Sequence, residues 1–327
     1  MALKNRLIDR CVQTIKRSGA KSVGLQYAAG FKTRAVEIAD ALERSAGVPV
    51  ILSADSSFGA CDVREMPVDL IVHIGHAPIP NLRYKNVFFF DDPVPLPQSL
   101  EFIDKALPLP GKRVGLLTTT QFRTWLPNIR EYLEERGYKV FIGKGVGRIA
   151  YDGQLLGCDY SAARAVEKDV DCFLYVCSGD FHPLAVAMLT PKPVIVADCE
   201  RGEARRLDEQ RDRAMRQRNG AIASAQSAQT FGIVVSTKVG QNRMEMARDL
   251  VRLAGKHGKG ARVFVMDDVN QAALEGYKVD AWVNTACPRI VIEDYVLFKK
   301  PILTPQEFEI VLGERSWDDY ELDEIGK

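Results

Sequence analysis

Apolar runs of four to six residues recur along the chain and predict strands that are buried on both faces of a sheet. Three of them, SVGLQYA from Ser22, RVGLLTTT from Arg113 and FGIVVSTK from Phe231, are each followed by a segment with a helical pattern. A strand with one face in solvent alternates apolar and polar residues, whereas these runs are continuous. The pattern therefore predicts parallel sheets built from βαβ units.

Further apolar runs follow each of these three, so that one unit is repeated three times. The second runs share a Val-Asp start: VDLIVHIGHAP from Val68, VDCFLYVCSGD from Val170 and VDAWVNTACPR from Val279. The third runs are NVFFFDD from Asn86, KPVIVADCE from Lys192 and KPILTPQEF from Lys300. We predict an α/β protein of three similar domains, each with a parallel four-stranded sheet flanked by helices, over residues 1–100, 101–210 and 211–327.

Charge and hydropathy narrow the classes of partner. The 327 residues carry a formal net charge of +1, which provides no basic field for nucleic acid. The stretch MALKNRLIDRCVQTIKRSGAK has the pattern of an amphipathic helix rather than of a signal peptide. No run approaches the roughly 20 apolar residues of a membrane span. We expect a cytoplasmic protein that binds neither nucleic acid nor membrane directly, and an arginine-rich, solvated linker helix over residues 201–218.

Seven cysteines are the candidate chemistry of this chain. An odd number without a signal peptide argues against a disulfide framework and leaves core thiols, metal ligands and nucleophiles as alternatives. Ligands of open α/β sheets bind beyond the carboxyl ends of the strands, which selects Cys61, Cys158 and Cys287. The other four are predicted to be structural: Cys11, Cys172, Cys177 and Cys199.

The three selected cysteines come one from each repeat. If the three units pack around a pseudo-threefold axis with their strand ends inward, each unit delivers one thiolate to the centre. Three thiolates can hold a 4Fe–4S cluster and leave one iron open for a substrate. Their wide spacing does not fit a CxxC zinc ribbon or a compact cluster loop. Core packing remains the alternative for each of them.

Six segments together resemble a known family over essentially the whole chain, the archaeal 2-(3-amino-3-carboxypropyl)histidine synthases of the first step of diphthamide biosynthesis. The segments are GACDV at 59–63, DLIVHIGHAP at 69–78, LLGCDYSAAR at 155–164, SGDFHPLAVAM at 178–188, VSTKVGQNR at 235–243 and NTACPRI at 284–290. The resemblance implies three α/β domains around a 4Fe–4S cluster with Cys61, Cys158 and Cys287 as ligands.

The resemblance also implies the reaction. A reduced cluster cleaves S-adenosylmethionine at the methionine γ-carbon, and the resulting 3-amino-3-carboxypropyl radical adds to carbon two of a histidine of translation elongation factor two. Methylthioadenosine is the other product. A homodimer and a separate electron donor are implied as well. The enzyme would be a non-orthodox radical transferase.

Polar residues at strand ends are candidates for binding S-adenosylmethionine. The loop STKVGQ leads into a helix N-terminus, which suits a carboxylate. The candidates are Ser236, Thr237, Lys238, Gln241, Arg289 and His76. A solvated surface position for Lys238, an interface salt bridge for Arg289 and a packing role for His76 are the alternatives.

Two other functions fit parts of the same pattern. Quinolinate synthase also places one cysteine from each of three α/β domains on a 4Fe–4S cluster, and it uses the open iron as a Lewis acid in a dehydration. A tandem α/β receptor for a sugar or nucleotide would leave all the cysteines inert. No GxGxxG or GxxxxGK[ST] loop is present, which disfavours the commonest nucleotide sites.

Overall fold

The strands form three separate sheets in a computed structural model that describes residues 2–55 and 57–326. The first sheet, in the order β2-β1-β3-β4, contains β1 Val23–Tyr27, β2 Val50–Leu52, β3 Leu70–Ile74 and β4 Val87–Phe90. The second, in the order β6-β5-β7-β8-β9, contains β5 Arg113–Thr118, β6 Lys139–Phe141, β7 Cys172–Cys177, β8 Val194–Asp198 and β9 Glu203–Arg206. The third, in the order β11-β10-β12-β13, contains β10 Thr230–Ser236, β11 Gly260–Met266, β12 Ala281–Asn284 and β13 Ile302–Leu303.

Helices flank these sheets, as the pattern predicted. In the described part of the chain the α-helices are α1 Ala2–Ser18, α2 Ala35–Ala46, α3 Leu126–Glu134, α4 Ser161–Arg164, α5 Phe181–Leu189, α6 Asp208–Ala225, α7 Met244–Lys256, α8 Gln271–Leu274, α9 Pro288–Ile292 and α10 Pro305–Leu312. Their spacing of apolar residues decides which side is buried. In α2 the buried residues are Ala35, Ile38, Ala39 and Leu42, three and four positions apart, which form one face of a helix.

The central strands are buried along their whole length. All residues of β3, β7 and β12 are buried, which is the burial that a strand covered by helices on both faces requires. Each sheet has its own hydrophobic core. The core of the second sheet also includes Ile292 and Leu322, from much later in the chain. None of the helices in the described residues is long and apolar enough to cross a membrane.

The aspartate of each Val-Asp pair fixes the start of a central strand to its neighbour. Asp69 accepts from the backbone N–H groups of Lys21 and Ser22, which directly precede β1. Asp171 accepts from the N–H groups of Lys112 and Arg113, and Asp280 does the same for Gln229 and Thr230. These carboxylates pair two parallel strands at their amino ends, so the loops at the opposite ends start from a fixed register.

The second sheet differs from the prediction of four parallel strands. Its fifth strand, β9, pairs antiparallel with β8, and Ala197 lies opposite Ala204. Residues 203–206 therefore form an edge strand, and the predicted linker helix begins only at Asp208 as α6. The arginines of β9 have partners in the fold rather than only solvent, since Arg205 binds both Asp180 and Asp198. An edge strand this short and polar carries no apolar alternation that the sequence would show.

Candidate active site

A cavity of about 160 Å³ lies where loops from all three sheets meet. Its wall includes Cys61 from the loop after β2, Cys158 from the loop after β6 and Cys287 from the loop after β12. The structure thus brings together the three cysteines that the strand-end rule selected. The cysteines outside this wall are Cys11 in α1, Cys172 and Cys177 in β7, and Cys199 directly after β8.

The third unit holds the loop of Cys61. The Gly240 N–H donates to the carbonyl of Cys61 over 3.0 Å, and the Gln241 side-chain amide donates to its Sγ over 3.5 Å. A Cβ added to Gly240 would lie 2.4 Å from the Cβ of Cys61, well inside contact distance. Only glycine permits this approach, so the absence of a side chain at 240 brings the first and third units together at the thiol.

The loop of Cys158 closes on itself and packs against α5. Leu156 and Asp159 form an antiparallel bridge, and the Tyr160 hydroxyl donates to the carbonyl of Gly157 over 2.9 Å. A Cβ added to Gly157 would lie 2.5 Å from the ring of Phe181, the first residue of α5. These contacts bury Cys158, whose exposed fraction is 7%.

Asn284 shapes the loop of Cys287. Its side chain lies at the end of β12, donates to the carbonyl of Cys287 over 2.8 Å and accepts from the Ala286 N–H over 3.1 Å. Asn284 is fully buried, so these bonds replace the water that its amide loses. Cys287 then precedes α9, whose first residue is Pro288, a residue suited to the first helical turn.

The protein environment keeps the three thiols protonated. Burial raises the pKa of Cys61 and Cys158 and raises that of Cys287 to about 12. The thiols also act on one another, because a charge on Cys61 or Cys287 raises the pKa of Cys158 further. A metal that binds them would have to displace their protons.

The three thiols are the candidate metal ligands of the cavity. Over residues 2–55 and 57–326, no three side chains of histidine, cysteine, aspartate or glutamate come together as a one-ion ligand set. The three thiols nevertheless share one cavity wall and interact electrostatically. Such a set fits a ligand with several metal centres, such as an iron–sulfur cluster bound at three corners.

Arg148 adds a buried positive charge to the cavity. Its exposed fraction is 3%, and its Nη2 donates to the carbonyl of Gly240 over 3.0 Å. Its Nε has no hydrogen-bond partner among the described residues. The charge partly offsets the effect of burial on the pKa of Cys61 and Cys158. A buried guanidinium with an unused donor is suited to bind an anion in the cavity.

The structure brings only half of the predicted cofactor contacts to this cavity, namely Gln241, Arg289 and His76. Ser236 and Thr237 lie outside its wall because their hydroxyls donate to Asp267. Lys238 also lies outside it, in ion pairs with two aspartates, Asp62 and Asp268. The hydroxyls and the ammonium therefore bind the loop after β10 to the residues after β11 and to the loop of Cys61, and the sequence pattern alone did not reveal these contacts.

Neutral histidines form part of the wall. The rings of His73 and His76 share a hydrogen bond of 2.9 Å between Nε2 and Nδ1. Burial lowers the pKa of His73 to about 3 and that of His76 to about 4. His182 also lines the cavity, and burial lowers its pKa to about 4. These rings are therefore uncharged at neutral pH, and the Nδ1 of His76 is already bound to His73, which leaves its Nε2 for a ligand.

A groove connects the cavity to the surface between the first and third units. This outer groove has a volume of about 520 Å³ and shares Phe58, Gln241, Cys287 and Arg289 with the cavity wall. Phe58 lies at the edge of this groove and is 66% exposed, whereas phenylalanine side chains are usually buried. Cys287 is the cavity thiol that also lines this groove.

Comparison with known proteins decides the family. The model of the diphthamide synthesis protein family matches residues 28–321. The 2-(3-amino-3-carboxypropyl)histidine synthase of Pyrococcus horikoshii is 36% identical over 96% of this chain and 92% of its own length. The chain belongs to the diphthamide synthesis protein family. This confirms the family and the enzyme class that the sequence predicted, over the dehydratase and the receptor.

Other members of the diphthamide synthesis family agree with this assignment. The 2-(3-amino-3-carboxypropyl)histidine synthase of Methanocaldococcus jannaschii is 28% identical over 86% of this chain and 80% of its own length. The crystal structure of Dph2 from Pyrococcus horikoshii with a 4Fe-4S cluster superposes with a TM-score of 0.90, at 36% identity, and covers 97% of this chain and 93% of that one. The predicted fold class of three α/β domains with parallel sheets is confirmed.

Among the residues of the cavity wall that the sequence did not predict are Arg148 and Gln154. Arg148 lies ten residues before Cys158 in GVGRIAYDGQLLGC, and nothing in that stretch distinguishes it from a surface arginine. Gln154 turns its side chain inward, donates to the Thr120 hydroxyl over 2.7 Å and is 2% exposed. In the sequence, only the position of Gln154 shortly before Cys158 indicates that it could line the cavity.

Proposed function

We propose that this chain is a 2-(3-amino-3-carboxypropyl)histidine synthase that catalyses the first step of diphthamide biosynthesis. It transfers the 3-amino-3-carboxypropyl group of S-adenosylmethionine to carbon two of a histidine of translation elongation factor two and releases methylthioadenosine. One observation carries the proposal. Three thiols from three units meet at one cavity, in a chain whose similar proteins are named for this activity.

Cys61, Cys158 and Cys287 are the residues that would hold a 4Fe–4S cluster. Three thiols on one cavity wall, one from each unit, fit such a group. When bound and reduced, it supplies the electron that cleaves the bond between sulfur and the methionine γ-carbon and so generates the 3-amino-3-carboxypropyl radical. The protein's own contribution is to orient the substrate and to limit the access of water.

Polar side chains of the wall orient S-adenosylmethionine. The guanidinium group of Arg148 is the main cationic partner for its carboxylate. Arg289 contributes a second positive charge, although it already pairs with Glu293 over 2.6 Å and lies 4.1 Å above the ring of Phe181. Gln241 and His76 supply donors and acceptors for its amino and ribose groups. Ala77, Ile79 and Leu155 are among the apolar residues of the wall, which keep water away from a reactive radical.

The outer groove is the route for the protein substrate. Its opening beside the exposed Phe58 lets a histidine on a loop of the elongation factor reach the cavity, since Cys287 and Arg289 line both spaces. The enzyme acts in the cytoplasm, takes its electron from a separate donor and works as a homodimer.

Analysis of the nucleoside products tests the proposal. Reconstituted protein is incubated anaerobically with dithionite and S-adenosylmethionine, and we expect methylthioadenosine well above a no-enzyme control. A Cys61→Ala, Cys158→Ala, Cys287→Ala variant should release none, whereas Cys11→Ala should behave as the wild type, because Cys11 lies in α1 away from the cavity.

Other products would contradict this mechanism. Release of 5′-deoxyadenosine would mean that a different carbon–sulfur bond breaks. Full iron loading and turnover in the triple variant would show that the three thiols are not the ligands.

A further inference from the structure

Residues 322–326 contact the loops of two of the three cavity thiols. Leu322, Asp323 and Glu324 are buried, with exposed fractions of 3%, 1% and 8%. Two adjacent buried carboxylates require compensating partners. Here the partner of Asp323 is Arg243 of the third unit, and a partner of Glu324 is Arg164 of the second unit. Each arginine lies beside the loop of a cavity thiol.

Asp323 binds the loop of Cys287 through an arginine. Arg243, just before α7, donates to both carboxylate oxygens of Asp323 over 2.7 and 2.5 Å. The same guanidinium donates to the carbonyls of Thr285 and Ala286 over 2.5 and 3.1 Å. These are the two residues before Cys287, so Asp323 fixes the arginine that holds this loop.

Glu324 and Ile325 bind the loop of Cys158 directly. One oxygen of Glu324 accepts from the Tyr160 N–H over 3.0 Å, and the other accepts from the Arg164 guanidinium over 2.8 Å. The Ile325 N–H donates to the carbonyl of Cys158 itself over 2.9 Å. The loop is therefore bound at its cysteine and at the residues that follow it.

We propose that residues 322–326 form a clasp that sets the separation between the thiols of Cys158 and Cys287. Asp323 and Glu324 are its positioning residues. They are consecutive, so the distance between the two bound loops is limited by one peptide unit and two side chains. This inference rests on the proposed function, in which both thiols are ligands of a 4Fe–4S cluster.

Iron release from a double variant tests the clasp. Asp323→Asn with Glu324→Gln keeps the shape of both side chains and removes their charge. Asp198→Asn is the matched control, because Asp198 is also 1% exposed and bound to an arginine, Arg205, but lies outside the cavity wall. All proteins are reconstituted anaerobically, and iron transfer to a chelator is followed at a temperature where each remains folded by circular dichroism.

We expect the double variant to release iron about tenfold faster than the wild type, with a changed electron paramagnetic resonance spectrum after reduction by dithionite. The control should release iron at the wild-type rate. The single variant Glu324→Gln gives a second measurement if the double variant does not fold, since Arg164 is one-third exposed and tolerates loss of its partner. It should release iron faster than the wild type, by a smaller factor.

Three results would overturn the clasp. Release at the wild-type rate with an unchanged spectrum would show that the two carboxylates do not position the thiols. An equally faster release of iron from the Asp198→Asn control would show that the double variant loses iron because its fold is less stable. Failure of the wild type itself to bind about four irons per chain would overturn the proposed function first, and this inference with it.

Discussion

At the scale of single residues, the position of a residue at a strand end predicted the cavity better than its chemical type did. Cys61, Cys158 and Cys287 were selected because they follow strands, and all three line one wall. Ser236 ends β10 and Thr237 follows it, but their hydroxyls bind Asp267, which directly follows the neighbouring strand β11. A sequence shows where a loop begins, whereas the direction of a side chain depends on contacts that only the fold creates.

A substitution at Gly240 tests the close contact between Gly240 of the third unit and Cys61 of the first. In Gly240→Ala the new methyl group would overlap with Cys61, so we expect the loop to shift and the iron content after reconstitution to fall by half or more. Iron and sulfide analysis measures this. Gly255→Ala is the control, because Gly255 lies in α7 with no atom within 4 Å of an added Cβ. Wild-type iron content in Gly240→Ala would contradict the role of this contact.

Arg148 is the second test at this scale. In Arg148→Met the cavity loses a buried cation with a free donor, so we expect S-adenosylmethionine to bind about tenfold more weakly, in line with the loss of one charged hydrogen bond. Equilibrium binding to reconstituted protein measures this. Arg130→Met, on the exposed side of α3, should bind like the wild type. Unchanged affinity in Arg148→Met would remove Arg148 from the cofactor site.

At the scale of elements, the threefold repeat was readable because its strands are fully buried. Continuous apolar runs identified β3, β7 and β12, and the structure places each beside the first strand of its unit. The sequence pattern did not predict strand β9, because a four-residue edge strand of Glu, Ala and Arg needs only backbone hydrogen bonds to β8. A buried strand requires apolar residues that are visible in the sequence, whereas an exposed edge strand pairs through its backbone and places no such requirement on its side chains.

The Val-Asp aspartates predict how stability depends on acid. Hydrogen bonds from Arg113 lower the pKa of Asp171 to about 2, and backbone N–H groups lower the pKa of Asp69 and Asp280. Because each value is lower in the folded state, the stabilisation is complete above about pH 4, the ordinary range of aspartate, and is lost as the pH falls toward 2.

The measurement is the thermal midpoint at pH 7 and at pH 3. Asp171→Asn should lower the midpoint at pH 7 and reduce its drop between the two pH values, because part of the acid-sensitive stabilisation is already gone. Asp152→Asn, at an exposed position, should match the wild type at both. An unchanged acid dependence in Asp171→Asn would show that this carboxylate does not link the strands.

At the scale of the whole molecule, the cavity depends on contacts between units. Arg64 of the first unit pairs with Asp267 and Asp268 of the third, and Arg123 of the second pairs with Asp91 of the first. The repeat predicted three similar units, but these cross-unit pairs carry no periodic signal in the sequence. The sequence predicted that the three loops meet, and the structure places their cysteines at one cavity wall.

Loading with iron should therefore stabilise the whole chain. A ligand that binds only the folded state adds about 2.7 kcal/mol at a free concentration one hundred times its Kd. We expect the thermal midpoint to rise by several degrees on anaerobic reconstitution, measured by circular dichroism. The triple cysteine variant should show no rise. An equal rise in that variant would mean that iron binds elsewhere.

The contacts of residues 322–326 also bear on the order of events during synthesis. The chain leaves the ribosome from its N-terminus, and domains fold as they emerge. The sheet that carries Cys158 is complete long before Ile325 is translated, so for that period the carbonyl of Cys158 lacks its native donor. In the proposed enzyme, iron insertion then belongs after translation has passed this segment, because Leu322 also completes the core of the second sheet.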